Sequence, residues 1–120
     1  MEILVKRAYE KAASGDGFRV LVDRLWPRGL KKADLHLDTW AKDLAPTTEL
    51  RQWFNHDEKR WDEFRRRYRH ELATPKARQL IKQIIAEAKH APAVTLVYGA
   101  RDTEHNEAIV LREKFRRFGS

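Results

Sequence analysis

The sequence predicts an α/β fold: a single three-layer domain in which a small, mainly parallel sheet is covered by helices. Short apolar segments typical of strands are separated by long stretches with helical spacing, in the order strand, strand, several helices, strand, helix. One segment, 18–23, has an uninterrupted Val-Leu-Val centre, which is typical of a strand buried on both faces. Because no linker or internal repeat divides the 120 residues, we expect one domain over 1–120.

Three segments are expected to form strands, at 3–8, 18–23 and 94–98. A turn at 13–17 contains two glycines, which suit positive φ angles, and it separates the first two strands. The helices between the second and third strands favour a parallel crossover. The direction of the first strand stays open.

Apolar residues at helical spacing predict five helices. They are expected over 37–44 with an Asp38 cap, from Thr47 or Thr48 to Phe54, from an Asp57 cap to Leu72, over 74–88, and from Asp102 or Thr103 to Phe118. The pattern over 74–88 is the widest apolar stripe, and Pro75 is expected at its first helical position.

The composition excludes several classes of protein. The absence of cysteine removes disulfides, thiolate nucleophiles and cysteine-based zinc sites, and it favours a cytoplasmic location. No apolar run approaches the roughly 18 residues of a membrane span, so we expect neither export nor a membrane partner. The net charge of +7 attracts anions in general, and most of it is interpreted as a solvated surface.

A dense polar segment follows the strand at 18–23 directly. Asp23 is a candidate base or arginine-orienting group, and Arg24 is grouped with it as a candidate catalytic residue. The candidate ligand-binding residues are Trp26, Arg28 and Gly29. Ligands of open α/β sheets bind outside the carboxyl ends of strands, and guanidinium groups suit phosphate and carboxylate. In the structural alternative, Asp23 pairs with an arginine and Trp26 plugs the end of the sheet.

A second polar segment follows the strand at 94–98 and leads into the last predicted helix. Its candidate catalytic residues are Tyr98 and His105, and its candidate ligand-binding residues are Gly99, Ala100, Arg101 and Asn106. Small residues let a ligand approach the backbone, and unpaired N–H groups at the helix N-terminus are expected to attract an anion. In the structural alternative, Asp102 caps the helix and Arg101 is solvated.

Segments 19–29, 44–51 and 96–102, with Asn106 and Ala108, resemble the YeaO-like branch of the bacterial domain-of-unknown-function family 488. The Leu-Trp-Pro-Arg-Gly motif at 25–29 is specific, and the resemblance covers nearly the whole chain. It implies an α/β fold and supports both polar segments, but it implies no reaction. Longer relatives often carry a Cys-His-Arg element where this chain has His-Asn-Glu at 105–107, so a thiol nucleophile is excluded at those positions.

The leading hypothesis is an enzyme or enzyme-like domain that binds a small phosphate- or carboxylate-bearing ligand at the two strand ends. No cofactor is expected. No metal is expected either, because the five histidines lack close ligand spacing. The alternatives are a basic, nucleic-acid-associated protein without catalysis, which is less favoured, and an interaction module anchored by Trp26. Oligomeric state, substrate and reaction stay open.

Two other patterns are interpreted as structural. The arginine-rich run 65–69 follows Asp62 and Glu63, a spacing that predicts ion pairs along an exposed helix. Trp40, Trp53 and Trp61 fall in predicted helices and are expected to pack against the core before they bind any ligand.

Overall fold

A computed structural model describes residues 1–119. The strands are β1 (Glu2–Arg7), β2 (Phe18–Leu21), β3 (Thr39–Trp40) and β4 (Ala93–Tyr98). The α-helices are α1 (Lys32–Leu35), α2 (Thr48–Phe54), α3 (Trp61–Glu71), α4 (Pro75–Glu87) and α5 (Glu107–Gly119). Short 3-10 turns lie at Ser14–Asp16, Lys42–Leu44 and Glu58–Arg60. The predicted α/β class is confirmed.

All strand pairs are parallel, in the order β1-β4-β2-β3. The first strand, whose direction the sequence left open, is parallel to its neighbour β4. Strand β4 is buried along its whole length, between β1 and β2. Because β2 and β4 are parallel neighbours, the polar segments that follow them leave the same edge of the sheet.

The side chains of the sheet alternate between two apolar layers, as the period of a strand requires. Val20 and Leu96 belong to the larger layer, which α2 to α5 cover. Leu21 and Val97 belong to a smaller layer closed by Leu35 of α1. The sheet is therefore enclosed on both faces. Within residues 1–119, no helix has the length and apolar content that a membrane span requires.

The predicted helix over 37–44 is wrong. The chain there pairs with the outer edge of β2: the Asp38 N–H donates to Arg19 O at 2.9 Å and the Ala41 N–H donates to Leu21 O at 2.8 Å. The Asp38 carboxylate accepts the Arg19 N–H at 2.8 Å and caps no helix. Backbone hydrogen bonds to the open edge of β2 stabilise the extended conformation more than the weak local helix propensity of this segment stabilises a helix.

The other helices form where the spacing predicts them, with two later starts. Thr47 caps α2 and Thr74 caps α4, as expected. Asp57 caps the 3-10 turn before α3, so the regular helix begins only at Trp61. The Asp102 carboxylate accepts the N–H groups of Glu104 and His105 in a separate turn before the helix. The regular helix α5 begins later, at Glu107.

Candidate functional site

The segments that follow β2 and β4 line one cavity of about 260 Å³ at the carboxyl edge of the sheet. The predicted site residues in its lining are Asp23, Arg24, Trp26, Arg28, Gly99, Ala100, His105 and Asn106. Residues that were not predicted as site residues complete the walls, notably Pro46, Arg51, Phe54, Phe64 and Glu107. The structure thus brings together most of the residues that the two strand ends suggested.

Three predicted site residues lie outside this lining. Tyr98 is buried in the larger apolar layer, and burial raises the pKa of its phenol, which does not suit a proton-transfer role. Arg101 is exposed where the chain turns away from the cavity. Gly29 has a φ of 83° and shapes the turn after Arg28.

Asp23 ties the two strand ends together. Its Oδ2 accepts the Gly99 N–H at 2.9 Å, a bond that crosses from the end of β2 to the end of β4. Its Oδ1 is buried and has no hydrogen-bond partner among residues 1–119. The predicted arginine partner is absent from this carboxylate, whose close neighbour is Glu107.

Glu107, the first residue of α5, forms a carboxyl pair with Asp23. Burial raises the pKa of Glu107 well above its ordinary value of 4.5, and the hydrogen bond and negative charge of Asp23 raise it further. The two acidic side chains therefore lie close together at the cavity, one at the end of β2 and one at the start of α5.

Sequence reasoning missed Glu107 as a site residue. The available signal was its position, because it stands where longer relatives often carry the last residue of a Cys-His-Arg element. Its meeting with Asp23 depends on how α5 packs against the sheet. That packing brings together residues far apart in the chain.

Guanidinium groups supply the positive charge of the cavity. Arg24 donates through Nε to Pro46 O at 3.1 Å and through Nη2 to Ala45 O at 3.3 Å, so its side chain is fixed against the backbone. Arg28 and Arg51 are exposed residues of the lining. Three guanidinium groups outnumber the two carboxyl groups of the lining, which leaves it positive and favours an anionic ligand.

Several of the backbone N–H groups that were expected to attract the anion already have partners. Asp23 accepts the N–H of Gly99, Asp102 accepts two N–H groups in the turn before α5, and Asn106 Oδ1 accepts two in the first turn of α5. Short acidic and amide side chains satisfy such donors locally. Asn106 is therefore the cap of α5 and is almost fully buried.

His105 is held by two contacts at the cavity. Its Nδ1 lies 2.9 Å from Asp102 Oδ2, and its ring meets Trp61 edge-on at 5.3 Å between centroids. Backbone N–H bonds and the His105 ring together lower the pKa of Asp102. The exposed Glu58 adds a second carboxylate oxygen, so that ligand-type atoms of Glu58, Asp102 and His105 all lie within 4.8 Å of one another. The histidine spacing in the sequence does not reveal this group.

The position of Trp26 is compatible with both of the roles that the sequence left open. It packs on the smaller apolar layer, edge-on to Trp40 at 5.4 Å, and it also lines the cavity. Its Nε1 donates to Leu30 O at 2.7 Å, which fixes the ring. Trp40 belongs to β3 rather than to a helix, and its Nε1 donates to Asp23 O at 2.7 Å.

The arginine-rich run of α3 is neutralised along the helix, as predicted. Glu63 pairs with Arg66 and, at 2.7 Å, with Arg67. Asp62 pairs with Arg65 at 2.6 Å instead of the expected Arg66. Arg69 reaches Glu113 on α5 at 2.9 Å.

A family model described as "Inactive DUF488-N3 subclade" matches residues 2–117. Uncharacterized protein YeaO of Escherichia coli K12 is 46% identical over 116 residues, which span 97% of this chain and 98% of that protein. Uncharacterized proteins Mb3100c of Mycobacterium bovis and Rv3073c of Mycobacterium tuberculosis are each 39% identical over 111 residues, 92% of this chain and 91% of theirs. No solved structure matches the chain. The YeaO-like resemblance is thereby confirmed.

Proposed function

Because the chain belongs to the DUF488-N3i family, the inactive DUF488-N3 subclade, we propose that it binds a small phosphate- or carboxylate-bearing ligand without transforming it. The observation that carries the proposal is the convergence of two strand-end segments on one cavity whose lining is positive. The word "inactive" in the family description favours binding over the catalysis that the leading sequence hypothesis included. Side chains would supply most of the contacts to the ligand, because the N–H groups of Gly99, Ala108 and Ile109 already have partners.

The size of the cavity supports a small ligand. Its volume of about 260 Å³ lies just below the range of roughly 300–1,000 Å³ typical of ligand pockets. A compound of metabolite size fits this space, with its anionic group towards the exposed guanidinium groups of Arg28 and Arg51. A polymeric ligand would contact mainly the surface around it.

The nucleic-acid alternative receives less support from the charge distribution. The arginines that suggested it lie on α3, where acidic side chains pair with Arg65, Arg66, Arg67 and Arg69. Paired charges attract a polyanion less than an uncompensated basic stripe does. A small anion at the cavity remains the better explanation of the positive lining.

The proposal is tested with Arg28→Lys. Inorganic phosphate, ribose 5-phosphate and citrate serve as probes in calorimetric titrations, with melting temperatures measured alongside. Lysine keeps the charge but loses the planar fork, so we expect the affinity of a bound probe to fall by about 1–3 kcal/mol. The melting temperature should stay unchanged, because Arg28 is exposed.

Arg116→Lys is the matched control, since Arg116 is exposed on α5 and lies outside the cavity lining. It should leave probe affinity unchanged. Equal affinities of wild type and Arg28→Lys at equal stability would remove Arg28 from the site. Failure of every anionic probe to bind would reject the proposed function.

We also propose a cytoplasmic location, which the absence of cysteine supports. Cell fractionation followed by immunodetection tests it. Recovery of the protein mainly outside the cytoplasmic fraction would contradict this location.

A further inference from the structure

The lining of the cavity combines guanidinium groups with exposed apolar side chains. Three large hydrophobic residues are exposed within residues 1–119, namely Met1, Tyr9 and Leu25, and the last two line this cavity. The Leu25 side chain has the largest exposure of the three, at 61%. Apolar surface costs free energy in water, so its concentration at one cavity indicates a ligand with an apolar body.

Aromatic rings line the same space and are held in place. The Tyr9 hydroxyl donates to Arg28 O at 2.8 Å, so the polar atom of that side chain is already occupied. Phe54 stacks on Phe64 with 4.3 Å between centroids, and Trp26 is fixed through its indole N–H. Rings that are fixed beforehand lose little freedom when a ligand binds, and they pack well against another flat ring.

The volume of the cavity limits the size of the apolar body. The space of about 260 Å³ is smaller than the roughly 300–1,000 Å³ of a site for a drug-sized ligand. A single aromatic ring with a short acidic chain suits this space better than a ring joined to a sugar and a phosphate.

The charge of the lining suits a monoanion. The guanidinium groups of Arg24, Arg28 and Arg51 exceed the carboxyl groups of Asp23 and Glu107 by one, so one negative charge balances the lining when both acids are ionised. A phosphate monoester carries about −1.5 to −2 at pH 7. Its additional charge would lie near two acidic side chains, which repel it.

Backbone donors also favour a carboxylate over a phosphate. Phosphate groups commonly bind to free N–H groups at a helix N-terminus, but the N–H groups of Gly99, Ala108 and Ile109 already donate to side chains. A carboxylate needs only the planar fork of a guanidinium group. The exposed Arg28 and Arg51 of the lining offer such forks.

We propose that the ligand is a small aromatic monocarboxylate. Its carboxylate pairs with the guanidinium groups of Arg28 and Arg51, and its ring lies against Tyr9, Leu25 and Trp26. This inference rests on the proposed function, because it names the class of the anionic ligand. It adds a role for the exposed apolar residues, which anion binding alone does not require.

The experiment compares probes that differ by one part of such a ligand. The isotope-labelled full chain is titrated with phenylacetate, with acetate, which lacks the ring, with phenylacetamide, which lacks the charge, and with phenyl phosphate, which replaces the carboxylate. Shifts of backbone amide resonances measure each affinity, and Gly99 and Ala100 of the lining should be among the residues that shift. We expect phenylacetate to bind about tenfold or more tighter than acetate and phenylacetamide. It should bind about threefold or more tighter than phenyl phosphate.

Two substitutions of Leu25 test the contact with the ring. Leu25→Asn removes apolar area at an exposed residue, so the preference for phenylacetate over acetate should fall by about threefold or more at an unchanged melting temperature. Leu25→Met is the matched conservative variant, and it should keep that preference within about twofold, because methionine keeps the apolar area. An unchanged preference in Leu25→Asn, or an equal loss in both variants, would overturn the inference.

The pattern of binding distinguishes this inference from the proposed function. Acetate or phenyl phosphate binding as tightly as phenylacetate would overturn the inference and leave anion binding intact. Phenylacetamide binding as tightly as phenylacetate would overturn the proposed function, and the inference with it. If phenylacetate fails to bind while phosphate, ribose 5-phosphate or citrate binds, only the inference is overturned; failure of every anion overturns both.

Discussion

The two ends of β2 each hold an acidic residue, the buried Asp16 and the half-buried Asp23, in opposite electrostatic settings. Before the strand, Asp16 pairs with Lys6 at 3.1 Å and with Arg19 at 2.6 Å. Burial alone would raise the pKa of Asp16, but the Ala13 N–H and the two cations lower it. After the strand, Asp23 faces another acid, and burial together with Asp23 raises the pKa of Glu107.

The difference separates a structural arrangement from a functional one. At the amino end, opposite charges neutralise one another, and Asp16 O also accepts the Thr95 hydroxyl at 2.6 Å. That end is a closed cluster that anchors the turn before β2. At the carboxyl end, two acidic side chains lie together beside a cavity and the pKa of Glu107 is raised, an arrangement that costs stability and is typical of sites that bind or react. The sign of the neighbouring charge therefore distinguishes the two ends better than burial does.

The largest expected effect is at the amino end. Asp16→Ala leaves the buried guanidinium of Arg19 without its counter-charge, so we expect the free energy of unfolding to fall by about 3–5 kcal/mol. Urea unfolding followed by circular dichroism measures it. Asp34→Ala, at an exposed acid that accepts only a local N–H, is the control and should cost far less. Equal costs would show that the Asp16 cluster contributes no special stability.

Asp23→Ala should destabilise the fold less than Asp16→Ala. The substitution removes the acceptor of the Gly99 N–H, at a cost of about 1–3 kcal/mol. It also relieves the repulsion with Glu107, which offsets part of that cost. The same unfolding measurement compares the two variants. A cost equal to or above that of Asp16→Ala would mean that both ends are structural in the same sense.

Glu107→Gln should stabilise the protein at neutral pH. A carboxyl whose pKa is raised on folding contributes its stability below its ordinary value of 4.5, and loses it as pH rises towards the folded-state pKa. The glutamine variant does not titrate, so its advantage should be small near pH 4 and reach about 1 kcal/mol or more at pH 8. Unfolding at several pH values measures the difference.

Glu104→Gln is the control for this pH series, because Glu104 is exposed and outside the cavity lining. It should track the wild type at every pH. A Glu107→Gln variant whose stability stays parallel to the wild type from pH 4 to pH 8 would show that folding does not raise the pKa of Glu107.

The smallest effect on stability is expected on α3, away from both ends of β2. Replacing Arg65, Arg66 and Arg69 with Gln breaks exposed ion pairs, which contribute little to folding. Retention on heparin at low salt should decrease, and the affinity of a cavity probe should not change. Loss of probe binding at constant fold would favour the nucleic-acid alternative over the cavity.

The sequence predicts best what depends on local patterns. The apolar run at the centre of β2 predicts a strand without knowledge of its neighbours, and Thr47 and Thr74 are read correctly as caps because capping acts over three residues. The edge strand β3 is missed, because its pattern also fits a helix and only the open edge of β2 decides between them.

The sequence by itself determined the α/β class and located the polar segments after β2 and β4. Both predictions depend only on residues that are neighbours in the chain, because an apolar run indicates a buried strand and polar residues follow it directly. Only the tertiary structure decided that Asp23 meets Glu107 rather than an arginine, and that Asn106 closes the helix end expected to hold an anion. Arg51 likewise reaches the cavity only through the packing of α2. Charge pairing across long sequence separations depends on distances and burial, and these are set when helices pack on the sheet.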